Sequence, residues 1–421
     1  MSRSGSAEKS FAIPKGLVWE AYKRVAANKG AAGVDRQSLA EFDKDLKNHL
    51  YKIWNRMASG TYFPPPVKAV EIPKPDGGTR ILGVPTVADR VAQTVAALAL
   101  EPRTESIFHD DSYGYRPRRS AAQALARCRQ RCWDRDWVID LDVAKFFDSV
   151  DHELMVKAVA ANITTDQRWV LLYVKRWLTA PMQMPDGSLQ PRDRGTPQGS
   201  AISPVLANLF MHYAFDTWLE REFPTVSFER YADDAVVHCA TKRQALEVLG
   251  ALDARMVEVG LRLHPDKTKI VYCQDGNRRG SHEHTSFTFL GYTFRPRPAK
   301  ARDGRLFTSF TPAVSPQAMK KMGQVVRGWR LHHRTGSSLD ELAEAINPIV
   351  AGWINYYGRF NRSQLYPLLR RINTYLMRWA GKKYKRLRAN RRYQRWWSGI
   401  IDRDPGLFTH WRYVRTSAGL R

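Results

Sequence analysis

Residues 231 to 234 read Tyr-Ala-Asp-Asp and lie between two apolar runs, Val226 to Tyr231 and Ala235 to Cys239. Two strand-like runs this close together form a hairpin, and its turn carries Asp233 and Asp234 side by side. Adjacent carboxylates repel and raise each other's pKa unless a cation neutralises them. On a tight turn such a pair suits a hard divalent ion with oxygen ligands, magnesium foremost. Asp is also an ordinary turn residue, so the pair alone leaves a structural role open. A second acidic strand shifts the balance. In Trp137 to Val143 (WVIDLDV) the side chains alternate, with Trp137, Ile139, Leu141 and Val143 on one face and Val138, Asp140 and Asp142 on the other. The first face is therefore expected to meet the core. An Asp at the end of this strand, beside the hairpin, completes a set of three carboxylates from two segments. Such a set can hold two magnesium ions, one activating an attacking hydroxyl and one stabilising the leaving oxygen of an in-line phosphoryl displacement.

Further motifs follow in order along nearly the whole chain. They are GAAGVDRQSLAEF (Gly30 to Phe42), KPDGGTRILGVPTVADRVAQ (Lys74 to Gln93), SYGYRPRRSAAQAL (Ser112 to Leu125) and RGTPQGSAISPVLANLF (Arg194 to Phe210), then HPDKTKIV (His264 to Val271), FLGYTF (Phe289 to Phe294) and NPIVAGWINYYGRF (Asn347 to Phe360). Each Gly- or Pro-rich piece alone marks an ordinary turn; the ordered set is specific. It resembles the reverse transcriptase/maturase encoded by group II introns, of the type that lacks an endonuclease domain. The resemblance implies an α/β right-hand polymerase (fingers and palm) with an all-α, basic thumb/maturase domain. It implies an RNA-directed DNA polymerase that uses two Mg2+ ions and dNTPs, an RNA template and a DNA primer or target. It also implies a protein that binds its parent group II intron RNA, assists its splicing and supports intron mobility by target-primed reverse transcription. Two other readings stay open: a reverse transcriptase adopted for host defence or repair, and a splicing-only RNA-binding maturase.

Residue roles follow from the same match. Asp142, Asp233 and Asp234 are the implied metal ligands and catalytic carboxylates, with Val143 counted in the metal set and Asp140 a neighbour only. Lys74 and Arg80, on a loop bent by Gly77 and Gly78, are expected to clamp the triphosphate, because phosphoryl transfer needs fixed cations where charge develops. Phe147 is expected to collide with a ribose 2′-hydroxyl and so favour deoxynucleotides, packing being its alternative role. Gln198, between Pro197 and Gly199, matches the residue that lies against the incoming nucleotide. Lys267 is either the general acid for the leaving pyrophosphate or a surface lysine.

Charge agrees with a polyanionic partner: 67 Lys and Arg stand against 41 Asp and Glu, a net of +26. Residues 301 to 421 hold 24 Lys and Arg and 6 Asp and Glu, a net of +18, which leaves +8 for the first 300. The densest run, Lys382 to Arg395, has eight cations and no acid: Lys382, Lys383, Lys385, Arg386, Arg388, Arg391, Arg392 and Arg395. Such cations repel one another unless a polyanion neutralises them, and bound RNA is the expected partner.

Organisation reads as an N-terminal helical extension (1–65), reverse transcriptase fingers and palm (66–310) and a helical thumb/maturase domain (311–421). Thr241 is expected to cap a helix carrying Leu246, Leu249, Leu252, Met256 and Val257, and Met184 to Gly195 an inserted hairpin or loop. Trp353, Tyr356, Tyr357 and Phe360, at helical spacing, are expected to form a bundle seam. Four cysteines without a CxxC pair suggest neither a zinc site nor a disulfide framework. His282 and His284 fall in a polar loop. No signal peptide or membrane-length apolar run is visible, so a cytoplasmic location in a bacterial cell is expected. The chain's last residues, GLFTHWRYVRTSAGLR, carry no cysteine pair, and no nuclease activity is expected of them.

Overall fold

The computed structural model describes residues 9–73, 77–278, 280–388 and 390–415. They divide into two compact units, one running up to residue 124 with 141–269 and one of 125–140 with the described residues from 270 onward.

In the first unit the helix Lys15–Ala27 buries Val18, Ala21, Tyr22 and Val25, one face at i, i+3, i+4, i+7, and packs on the long helix Val87–Ile107. Ser38 and Glu41 form a capping box at the start of Leu39–Asp43. Strand Val67–Pro73 pairs antiparallel with Thr79–Val84; Lys74, expected on the loop between them, lies outside the described residues. The expected insertion is a small hairpin, Met182–Gln183 with Leu189–Gln190. Its turn is closed by Asp186, which accepts from Ser188 N, and by Gly187 at φ 86°. Helix Ser203–Met211 continues into a π-helical segment, His212–Asp216, before the hairpin of Ser227–Tyr231 and Asp234–Cys239.

Thr241 does cap the next helix, Lys242–Glu258, but the buried stripe is Ala245, Val248, Leu252 and Met256. Leu246 and Val257 are 55% and 61% exposed. Leu252 and Met256 lie on the expected face, while the small Ala245 and Val248 complete it in place of Leu246 and Val257.

In the second unit, strand residues Trp137, Val138 and Ile139 are all buried. Both faces of that strand are covered, which alternation alone does not reveal. Strands Tyr292–Lys300 and Leu306–Val314 form a nine-pair hairpin. The helices start at Pro316, with Pro316–Gly328, Leu339–Tyr357, Tyr366–Lys383 and Asn390–Arg403 around Val350, Leu369, Ile372, Leu376, Trp379 and Trp411. Along Leu339–Tyr357 the buried residues are Leu342, Ala343, Ile346, Val350 and Ile354. The aromatics expected at the seam flank it instead: Trp353 stacks on Trp329 at 5.8 Å, while Tyr356, Tyr357 and Phe360 surround the buried Tyr292 ring. His282, expected in an open loop, packs on Tyr272 and Trp137 with ring centroids 4.1 and 4.9 Å away. All four cysteines are buried and none forms a disulfide bond. No helix among the described residues is long and apolar enough to cross a membrane.

Candidate active site

The acidic hairpin is held from beneath by one side chain. Arg230, 0% exposed, sits just before the turn. Its Nε and Nη2 donate to the two carboxylate oxygens of Asp216 at 2.7 and 2.6 Å, Nη2 also to Ser112 Oγ at 2.8 Å, and Nη1 to Asn208 Oδ1 at 3.1 Å and Ala232 O at 2.9 Å. The π-helical segment that presents Asp216 adds a residue to its turn, a distortion that recurs at functional sites. The guanidinium thus fixes a backbone carbonyl in the turn itself. Ala232 takes a left-handed conformation, φ 60°, and Gly114 lies against it. A Cβ on Gly114 would come within 2.4 Å of Ala232 N, so only glycine fits, which gives the Ser-Tyr-Gly-Tyr stretch a packing reason.

Asp142 follows the end of strand Trp137–Leu141. His264 N donates to its backbone carbonyl at 2.8 Å, and Lys267 Nζ lies 3.4 Å from its Oδ2. Val143 is buried and bridges to Leu263. Asp142, Asp233 and Asp234 line one cleft of roughly 860 Å³ together with Val143, Lys267, Arg80, Gln198, Phe147 and Tyr115. Burial raises the pKa of Asp233, with Asp142 adding to the effect and Arg80 and Arg230 opposing it. Asp234 is reached by solvent but lies among protein mass at the cleft. That surrounding mass, then Asp233 and Asp142, pushes its pKa up to about 7, against the pull of Lys267. Three carboxylates in one cleft, two of them with pKa values raised by burial and by neighbouring negative charge, are a donor set of hard oxygens short of positive charge, and a divalent cation suits it.

The opposite side of the cleft is polar. Arg80 Nε donates to Gln198 Oε1. Gln198 is in turn held by its backbone, whose carbonyl accepts from Gly83 N at 2.7 Å. Phe147 is half-buried, and its carbonyl accepts from Thr196 N at 2.7 Å. Gly195, at φ 76°, passes so close that a Cβ would lie 2.6 Å from that carbonyl.

Sequence reasoning gave no role to Arg230, Asp216 or Tyr115. Arg230 had a visible sign, a cation in the strand-like run three residues before the acidic pair; Asp216, 14 residues away, had none. Tyr115, at φ 54° and 57% exposed, lies near Asp233.

The basic run belongs to the second unit. Lys382 is exposed at the end of Tyr366–Lys383; Lys385 and Arg386 are exposed on the turn Lys385–Arg388, and Arg391, Arg392 and Arg395 on Asn390–Arg403. The Arg388 side chain lies outside the described residues. Lys383 differs from the others: its Nζ donates to Ser337 O at 2.5 Å and lies 5.4 Å from the Trp379 ring centroid. It is engaged within its own unit.

Residues 72–294, just over half the chain, match the family model for reverse transcriptase (RNA-dependent DNA polymerase), and residues 319–397 match that for the group II intron maturase-specific domain. Protein YkfC of Escherichia coli (strain K12) is 32% identical over 316 residues, 65% of this chain and 78% of its own length. The group II intron-encoded protein LtrA of Lactococcus lactis is 30% identical over 219 residues, 51% of this chain but 36% of LtrA. A solved telomerase from Candida albicans aligns with 91% of this chain and 69% of its own at 11% identity and a TM-score of 0.47, too loose to carry weight. The chain belongs to the reverse transcriptase family and is an RNA-directed DNA polymerase with a right-hand polymerase fold and a group II intron maturase domain.

Proposed function

We propose that the protein copies RNA into DNA with Mg2+ held by Asp142, Asp233 and Asp234 beside Val143, and that it binds a group II intron RNA, assists its splicing and supports its mobility by target-primed reverse transcription. The observation that carries the polymerase reading is the single cleft shared by three carboxylates, Arg80, Gln198 and Phe147. Bound Mg2+ would supply Lewis-acid activation of the primer hydroxyl and charge neutralisation at the leaving phosphate. In this reading Arg80, with Lys74, binds the triphosphate, and Gln198 lies against the nucleotide, its orientation fixed by Arg80 and Gly83. Lys267, beside Asp142, is well placed to balance the carboxylates and to hand a proton to the departing pyrophosphate. Residues 1–65 then act as an N-terminal extension, 66–310 as fingers and palm and 311–421 as thumb and maturase domain.

Both Phe146 and Phe147 border the cleft, but Phe146 is 2% exposed and Phe147 is the more open of the two, so in this reading Phe147 is the residue to meet the sugar. Phe147→Val should raise ribonucleotide use relative to deoxynucleotide use by on the order of tenfold, about 1.4 kcal/mol of lost discrimination. Single-nucleotide extension with paired rNTP and dNTP reads this ratio, and an unchanged ratio assigns the gate to another side chain.

The maturase reading rests on the exposed cations of the basic run. Changing Lys382, Lys385, Arg386 and Arg391 to Ala should weaken binding to structured intron RNA and flatten the slope of log affinity against log salt by roughly 0.7 to 0.9 per lost phosphate contact. Lys383→Ala, already bonded to Ser337, should leave the slope near parental. Equal slopes for the fourfold variant and parent would demote the run to a solvated face. Sequencing RNA that copurifies with the protein separates the maturase reading from a host-adopted reverse transcriptase: one structured intron supports the first.

A further inference from the structure

Behind the Gln198 turn lies a buried polar chain that contributes no residue to the cleft lining. Thr86 caps the helix Val87–Ile107 by accepting from Asp89 N. Asp89 and Gln93 follow at i and i+4 on one face of that helix, each 1% exposed. Asp89 Oδ1 accepts from Tyr62 Oη and from Trp177 Nε1, both at 2.8 Å, and Oδ2 accepts from Gln93 Nε2 at 2.9 Å. Gln93 Oε1 then accepts from Ser200 Oγ at 2.6 Å and from Ala201 N at 2.8 Å. Ser200 N donates back to Pro197 O at 3.1 Å, and Ser203 Oγ to the same carbonyl at 3.0 Å. The chain of bonds runs from a helix in the core to the turn that carries Gln198.

Its polarity is fixed. A carboxylate can only accept, so Asp89 forces the Gln93 amide to present its NH2 toward the helix and its oxygen toward the turn. Rotating that amide by half a turn would set its NH2 against the Ala201 N–H, two donors face to face in a buried site. Burial lifts the pKa of Asp89 to about 6, opposed by Trp177, Tyr62 and Gln93 in that order, so at pH 8 it is ionised and the polarity holds.

We propose that Asp89 and Gln93 are positioning residues for nucleotide selection: they form a strut that sets the Pro197–Ala201 turn, and through it the place of Gln198, against the incoming dNTP. The proposal rests on the nucleotide-contact reading of Gln198, and the experiment separates the two.

Steady-state single-nucleotide extension on a fixed RNA-template/DNA-primer pair, at pH 8 with Mg2+, gives KM for dNTP and kcat for each variant. Asp89→Asn puts an amide NH2 against Gln93, and Gln93→Glu puts two carboxylates together. Each should raise KM for dNTP by at least about tenfold with a smaller change in kcat, as expected for lost positioning of a bound nucleotide. The double variant D89N/Q93E restores every pairing: the amide introduced at position 89 accepts from Tyr62 and Trp177 and donates to the carboxylate introduced at position 93, which accepts from Ser200 and Ala201. Its KM should return to within about threefold of parent. Ser200→Ala, which removes one contact without burying a charge, should raise KM about two- to fivefold and keeps the test open if a single variant fails to fold.

Parental KM in the folded single variants, or in Ser200→Ala when those do not fold, overturns the strut; so does a double variant no better than the singles. Gln198→Ala is the reference. If it raises KM and the strut variants do not, the strut falls and the Gln198 reading stands. If the strut variants shift KM and Gln198→Ala does not, the strut stands and acts through another part of the turn. Parental KM in all of them removes both.

Discussion

Asp233→Asn is expected to lower primer extension on an RNA template by at least about a thousandfold, roughly 4 kcal/mol of transition-state stabilisation, while binding of structured RNA stays within about twofold. The substitution removes one negative oxygen from a cleft that holds three carboxylates, so its principal loss is affinity for the divalent ion. Partial recovery of extension at high Mg2+ or Mn2+ would fit a weakened site. The basic run is in the other unit and keeps its charge, which is why RNA binding is spared. Extension by the variant at more than a tenth of the parental rate would remove Asp233 from the metal set.

The largest stability effect is expected beneath the hairpin. Asp216→Ala leaves the Arg230 guanidinium fully buried with its two strongest acceptor contacts gone. Breaking a buried pair from one side costs about 3–5 kcal/mol, a large part of the roughly 5–15 kcal/mol that holds a domain folded. Urea denaturation monitored in the first unit should show the midpoint falling sharply, and the soluble yield should fall with it. Asn208→Ala, which removes a weaker contact at 3.1 Å, should cost about 1–3 kcal/mol. A midpoint for Asp216→Ala no lower than that of Asn208→Ala would mean that Arg230 finds a replacement acceptor.

Much of the architecture could be read locally. The hairpin strands around Ala232 and Asp233, the Thr241 cap and the small inserted hairpin around Gly187 each depend on a few neighbouring residues whose backbone preferences agree. The errors arose where neighbouring residues were insufficient. Ala245 is buried and the bulkier Leu246 exposed, a choice that residue size does not predict; Trp353 flanks Ile354 and stacks on Trp329. His282 is half-buried because two aromatic rings, Tyr272 and Trp137, pack against it.

The sequence by itself determined the chemistry available to this protein: two acidic segments, a run of eight cations without an acid, and turns whose glycines permit close backbone approach. Those depend on residue type and local order, and local order is written in the chain. Which groups are held, and by what, was decided by tertiary structure. Arg230 reaches Asp216 and Ser112 across 14 and 118 residues, and Gln93 reaches Ser200 and Ala201 across 107 and 108. Such pairs have no local spacing to betray them. They exist because a buried polar atom must find a partner, and the partner nearest in space is supplied by the fold.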